Sequence, residues 1–152
     1  MKKIVYVSID RIIAEIEHKL MLQVCECLQM QPTKNDISVY DIVPPVSGGL
    51  EAVHSLLKIP QFDVYFISTP YWPDDVAWGD RKFWAERLFD KQDIEKRLIL
   101  CHEKQLLIGD YLIDDSWMNG SIKFMGQWIA IGVDSKFPTW DEVLLHLIKD
   151  QV

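Results

Sequence analysis

From Ile4 to Ile9 the chain runs through a short apolar, β-branched stretch with no helical period, and at Ile12 the spacing of apolar residues changes to four. The first pattern is that of a strand buried on both faces. The second has Ile12, Ile16, Leu20, Val24 and Leu28 in one stripe and Glu15, Lys19 and Glu26 off it, and predicts an amphipathic helix ending before Pro32. The same switch recurs along the chain. Phe62 to Ser68 reads as a second strand closed by Thr69-Pro70, Lys96 to Cys101 as a third, Tyr111 to Ile113 as a fourth that stops at Asp114-Asp115, and Gly126 to Gly132 as the last. A helix with Leu50, Val53 and Leu57 on one face follows Val43-Pro-Pro-Val-Ser-Gly-Gly, and Asp80 to Phe89 reads as another, with Phe83, Trp84 and Leu88 inward. Thr139-Trp-Asp-Glu is a capping box, Thr139 as N-cap and Glu142 at N3, opening a terminal helix whose buried stripe is Val143, Leu144, Leu147 and Ile148. Short strands alternating with helices predict an α/β fold, a central parallel sheet with helices on both faces.

Length and charge narrow the function. A chain of 152 residues with 49% apolar residues is expected to fold as one domain over 1–152 and is too apolar for disorder. The 16 Lys and Arg against 23 Asp and Glu leave a net charge of −7. That balance offers no electrostatic footprint for nucleic acid or an anionic membrane, and points to a small molecule or a protein as partner. The basic then apolar N-terminus meets Asp10 and Arg11 too early for a signal peptide, and no apolar stretch approaches the roughly 20 residues of a spanning helix. Three cysteines, Cys25 and Cys27 in a helical pattern and Cys101 at a strand end, make no disulfide framework, so the cytoplasm is the expected address.

In parallel α/β sheets ligands bind outside the carboxyl ends of the strands. Those ends carry Ser8, Asp10 and Arg11, then Ser68 and Thr69, then His102, Glu103 and Lys104, then Asp114 and Asp115. Two or three carboxylates there suit a hard cation such as Mg²⁺, which keeps waters for a phosphate. Ser68 and Thr69 can donate to phosphate oxygens, and Lys104 can neutralise charge developing on them, so the set points to phosphoryl transfer. Each residue singly has a plainer reading: Asp-Asp as a turn, Ser-Thr-Pro as a loop entry, Lys104 as a solvated lysine. Zinc is not expected, because His18, His54 and His146 each lack a second ligand at helical spacing and Cys25 and Cys27 project about 200° apart on a helix. His102, the one histidine on the rim, is read first as solvated or structural, with lining the site as the alternative.

Several segments resemble the 5'(3')-deoxyribonucleotidases of the haloacid dehalogenase superfamily, in their short bacterial and phage form. They are Pro45-Val-Ser-Gly-Gly-Leu-Glu-Ala-Val, Asp63-Val-Tyr-Phe-Ile-Ser-Thr-Pro-Tyr-Trp, Ala77-Trp-Gly-Asp-Arg-Lys with Trp84, Lys96-Arg-Leu-Ile-Leu-Cys-His-Glu-Lys, Gly109-Asp-Tyr-Leu-Ile-Asp-Asp and Lys136-Phe-Pro-Thr-Trp, in the family's order. The resemblance implies a Rossmann-like core, Mg²⁺ dependence, and hydrolysis of nucleoside monophosphates through an aspartyl-phosphate intermediate. It implies that Ser68, Thr69 and Lys104 bind phosphate, that Asp114 and Asp115 with Asp10 hold the metal, and that Asp10 is the general acid/base. It also marks two departures. The family writes Asp-x-Asp-Gly after the first strand, where this chain has Ser8-Ile9-Asp10-Arg11. A hydroxyl thus stands at the nucleophile position, a weaker ligand that needs a base to attack. Arg11 in place of glycine is expected either to pair with bound phosphate or to crowd the site. The cap insertion, placed at 12–43, is much reduced, and Tyr71, Trp72 and Trp78 are candidates to stack on a base or to pack over the rim.

Three functions compete. The first is a Mg²⁺-dependent phosphatase acting on a nucleoside monophosphate, with turnover weak or lost through Ser8. The second is an inactive nucleotide- or phosphate-binding module on the same scaffold. The third, a phosphoacceptor receiver domain, has the wrong order of motifs, since its acidic pair follows the first strand. Trp117, Trp128 and Trp140 with Phe124 and Phe137 are read first as packing of the last strand and helix, with a homodimer surface as the alternative.

Overall fold

The computed structural model describes residues 1–14, 44–73 and 75–151. Five strands, β1 (Lys3–Ser8), β2 (Phe62–Ser68), β3 (Leu98–Leu100), β4 (Tyr111–Asp114) and β5 (Gln127–Ala130), form one sheet in the order β3-β2-β1-β4-β5. Every pairing is parallel. This is the Rossmann-like α/β sheet the alternating pattern predicts, with β1 at its centre. Strand order reverses direction on either side of β1, so the carboxyl ends of β1, β2 and β4 open onto one crevice.

Helices α1 (Gly49–Leu57), α2 (Asp75–Leu88), α3 (Lys91–Ile94) and α4 (Trp140–Lys149) connect or follow the strands. Side-chain alternation divides the core in two. Val5, Val7, Val64, Phe66, Ile113 and Ile129 face Val53 and Leu56 of α1, Trp84 and Ala85 of α2, and Val143 and Leu147 of α4. On the opposite face Tyr6, Ile67 and Leu112 pack with Phe124 and partly buried Leu107, contributed by the short turns around Lys104–Leu106 and Ser121–Lys123. A fully buried side chain such as Leu147 or Phe66 stabilises the fold by about 1.5–3 kcal/mol relative to exposure.

Three sequence expectations change. Ile12 to Ala14 form a turn and an isolated bridge instead of the first turn of a helix, although all three are buried. The remainder of that expected helix, with His18, Cys25 and Cys27, lies outside the described residues, as does nearly all of the cap placed at 12–43. Phe83 is exposed, because α2 turns Arg81, Trp84 and Ala85 inward and Phe83 lies about 200° from Arg81 around the helix. Ile148 likewise faces out of α4, where Trp140 fills the inward stripe in its stead. The capping box forms as expected, with Thr139 N–H donating to Glu142 Oε2 at 3.1 Å. Of the C-terminal aromatics, Phe124, Phe137 and Trp140 are buried, while Trp117 is exposed. Trp140 ties α4 to the loop after β1, its Nε1–H donating to the Ile12 carbonyl at 2.9 Å. Gly49 permits that approach, since a Cβ there would stand 2.5 Å from the same oxygen. Among the described residues no helix is long and apolar enough to cross a membrane.

Candidate functional site

The loop leaving β1 is closed by its own backbone. Ile9 N–H continues the ladder to Ile67 O at 2.8 Å, Ile13 and Ala14 N–H return to Ile9 O, and Arg11 N–H donates to Ala14 O at 2.7 Å. This tight turn puts Arg11 at φ 66°, the left-handed region that favours glycine. A non-glycine residue there costs about 1–2 kcal/mol. The cost is offset by a forked ion pair, in which Arg11 Nε and Nη2 donate to Asp115 Oδ2 and Oδ1 at 2.7 and 3.0 Å. Arg11 therefore lies on one of the two aspartates after β4 while it lines the cleft.

Asp10 is held from the other side. Its Oδ2 accepts hydrogen bonds from Ser68 Oγ at 2.7 Å and from Thr69 N–H at 3.2 Å, both at the end of β2. Arg81, brought in by α2 and almost fully buried, sets its Nε 3.3 Å from Asp10 Oδ1 and 3.2 Å from Ser68 Oγ. Burial pushes the Arg81 guanidinium down from its ordinary value and the Asp10 charge holds it up; an arginine keeps its proton in such a site. Reading strand ends alone misses Arg81. The signal that could have found it is the run Ala77-Trp-Gly-Asp-Arg-Lys, already among the family-like segments.

Lys104 and Asp114 form a buried pair. Asp114 closes β4, and its Oδ2 accepts from Lys104 Nζ and from Ser121 Oγ, the latter at 2.6 Å. The backbone fixes the lysine, whose N–H donates to Asn119 O at 2.8 Å. Burial pushes the neighbouring Asp115 carboxyl up, and Arg11 pulls it back down.

These groups surround a cleft of about 160 Å³. Of the residues expected at the site, Ser8, Asp10, Arg11, Thr69, Tyr71, Lys104 and Asp114 line it, and Arg81, Ser116 and Asn119 join them. Ser68 stands behind the wall, fully buried and engaged with Asp10. Asp115 reaches the cleft through Arg11. Trp72 and Trp78 lie apart from it, beside Asp75 on a shallower hollow. Their rings meet each other at 5.7 Å and His102 at 5.3 and 5.4 Å, while His102 Nε2 is 2.7 Å from Pro70 O. His102 is thus engaged with the loop after β2, as its structural reading expects.

The donors for a divalent cation fit poorly. Both Asp115 oxygens are engaged by Arg11, one Asp114 oxygen already accepts two hydrogen bonds, and position 8 offers a buried neutral hydroxyl. A hard cation with a near-octahedral demand needs several open, preferably anionic oxygens. Among the described residues no group of three or more His, Cys, Asp or Glu side chains is disposed to hold a metal.

No family model matches the chain. It is 35% identical over 151 residues to a protein of Vibrio phage KVP40 named "Putative 5'(3')-deoxyribonucleotidase", an alignment covering 98% of this chain and 86% of the relative. A Bordetella pertussis protein of the same name is 38% identical over 73 residues, 48% of this chain and 38% of that one. The human "5'(3')-deoxyribonucleotidase, cytosolic type" is 32% identical over 71 residues, 47% of this chain and 35% of its own length. The parallel sheet and a near full-length likeness to the phage protein agree, and the chain belongs to the 5'(3')-deoxyribonucleotidase family.

Proposed function

We propose that the cleft binds the phosphate of a nucleoside monophosphate and that this chain hydrolyses it slowly or not at all. The observation that carries the reading is Ser8, buried at the end of the central strand and lining the cleft where the family resemblance expects the nucleophilic carboxylate. A serine attacks phosphorus only once a base takes its proton. Asp10, the acid/base of the family resemblance, is engaged by Ser68, Thr69 N–H and Arg81. Binding asks less of the site. Lys104, Arg81 and Arg11 bring positive charge and N–H groups to the cleft, Thr69 lines it with its hydroxyl donating to Cys101 O at 3.0 Å, and Ser68 orients Asp10 from behind. The reading carries with it a small phosphate ester as partner, the cytoplasm as place of work, and Mg²⁺ dependence only for a form with a carboxylate restored at position 8.

The test is phosphate release from a panel of deoxyribonucleoside and ribonucleoside monophosphates with Mg²⁺, comparing the natural chain, Ser8→Asp, and Ser8→Asp/Arg11→Gly. Release is expected to be negligible in the natural chain and strongest in the double variant, which restores the family's Asp-x-Asp-Gly. Release by the natural chain as fast as by the double variant would move the attacking group elsewhere and overturn the assignment of Ser8.

A further inference from the structure

The two departures from the family motif have the same electrostatic sign. Serine for aspartate at position 8 removes one negative charge, and arginine for glycine at position 11 adds one positive charge. Around the cleft as it stands, the cations Arg11, Arg81 and Lys104 face the carboxylates Asp10, Asp114 and Asp115, so the charges cancel. The same residues with a carboxylate at position 8 and glycine at position 11 would carry an excess of two negative charges, which is what one divalent cation neutralises.

We infer that Ser8 and Arg11 together stand in for that cation, and that the cleft takes a phosphate monoester in the absence of any metal. The inference rests on the phosphate-binding reading above and says how that site is neutralised. Geometry supports it at Arg11. The fork on Asp115 uses two of the five guanidinium N–H groups and leaves three for a ligand. The side chain is half exposed and lines the cleft together with Lys104. The left-handed backbone at Arg11 is also a cost the chain accepts at this turn. Asp115, a metal ligand by resemblance, here positions an arginine.

Isothermal titration with deoxythymidine 5'-monophosphate, first in excess EDTA and then in excess Mg²⁺, tests the inference. The natural chain is expected to bind in EDTA with a Kd within about threefold of its value in Mg²⁺. Arg11→Gly, which suits the φ of this turn, is expected to weaken binding in EDTA at least about tenfold, and Arg11→Lys to fall between the two. Ser8→Asp/Arg11→Gly is expected to bind only with Mg²⁺. Binding of the natural chain that requires Mg²⁺ would overturn the inference while keeping the cleft as a phosphate site, as would an Arg11→Gly variant that binds in EDTA as tightly as the natural chain. No binding by the natural chain in either buffer would overturn the phosphate-site reading itself, and the inference with it.

Discussion

Replacing Lys104 by methionine should strand a buried carboxylate. The Lys104 and Asp114 side chains retain only 4% and 2% of their exposure, and the lysine is the charged partner that Asp114 contacts directly. Breaking a buried ion pair by removing one member costs about 3–5 kcal/mol, because the remaining charge has lost both water and its counter-ion. Ser121 Oγ, 2.6 Å from Asp114 Oδ2, still donates one hydrogen bond, which puts the expectation at the lower end, about 3 kcal/mol. A domain with total stability of about 5–15 kcal/mol feels such a loss strongly. With a urea m-value of about 2 kcal/mol/M, the unfolding midpoint should fall by about 1.5 M with m unchanged. Lys104→Met/Asp114→Asn removes both charges and should recover at least half of that loss, since neutralising the whole pair avoids the stranded carboxylate. Urea melts followed by far-UV circular dichroism and by tryptophan fluorescence measure all three chains. A midpoint drop below about 0.3 M, or a double variant less stable than Lys104→Met alone, would refute the argument.

Gly126 precedes β5 with no room for a side chain: a Cβ would stand 2.4 Å from Gly109 O and 2.5 Å from Asp110 O, both backbone atoms. Gly126→Ala should therefore destabilise the chain by about 1–3 kcal/mol, read as a lowered Tm, and an unchanged Tm would show that the β4–β5 connection is softer than its packing suggests. The Thr139 hydroxyl and backbone hold the Glu142 carboxyl below its ordinary value. A carboxyl depressed in the folded state contributes stability that is complete above its unfolded pKa, about 4.3, and is lost as pH falls through the folded value. Glu142→Gln should thus be less stable than the natural chain at neutral pH, with the gap closing below about pH 4.3 in thermal melts; a gap constant with pH would mean that the box acts through shape alone.

The parallel sheet was legible because each strand is a short apolar run whose period breaks abruptly, and the same breaks located most of the cleft. Ser8, Asp10, Thr69, Lys104 and Asp114 come together because parallel strands present their carboxyl ends on one edge. What strand ends could not reveal was adjacency. That Arg11 meets Asp115 depends on β1 lying beside β4, and strand order is written in long-range packing, not in local period. Arg81 was hidden for a related reason, since it enters the site from the inner face of a helix. Ile12 to Ala14 show the limit of periodicity: buried apolar residues at helical spacing also suit a tight turn that passes under α4.

The bond from Trp140 to the Ile12 carbonyl spans 128 residues of sequence, and it sets a schedule for biosynthesis. The turn that displays Asp10 and Arg11 is translated well before Trp140, one of its anchors. β1 also waits for β4 on one side. Contacts of such long sequence separation form late, because loop closure must be paid before they reward it. A nascent chain can assemble α1 and the β1–β2 ladder early, but this bond requires translation through Trp140. Chains arrested before that point would be expected to lack the finished cleft, so the cell would meet this site only in chains translated past Trp140.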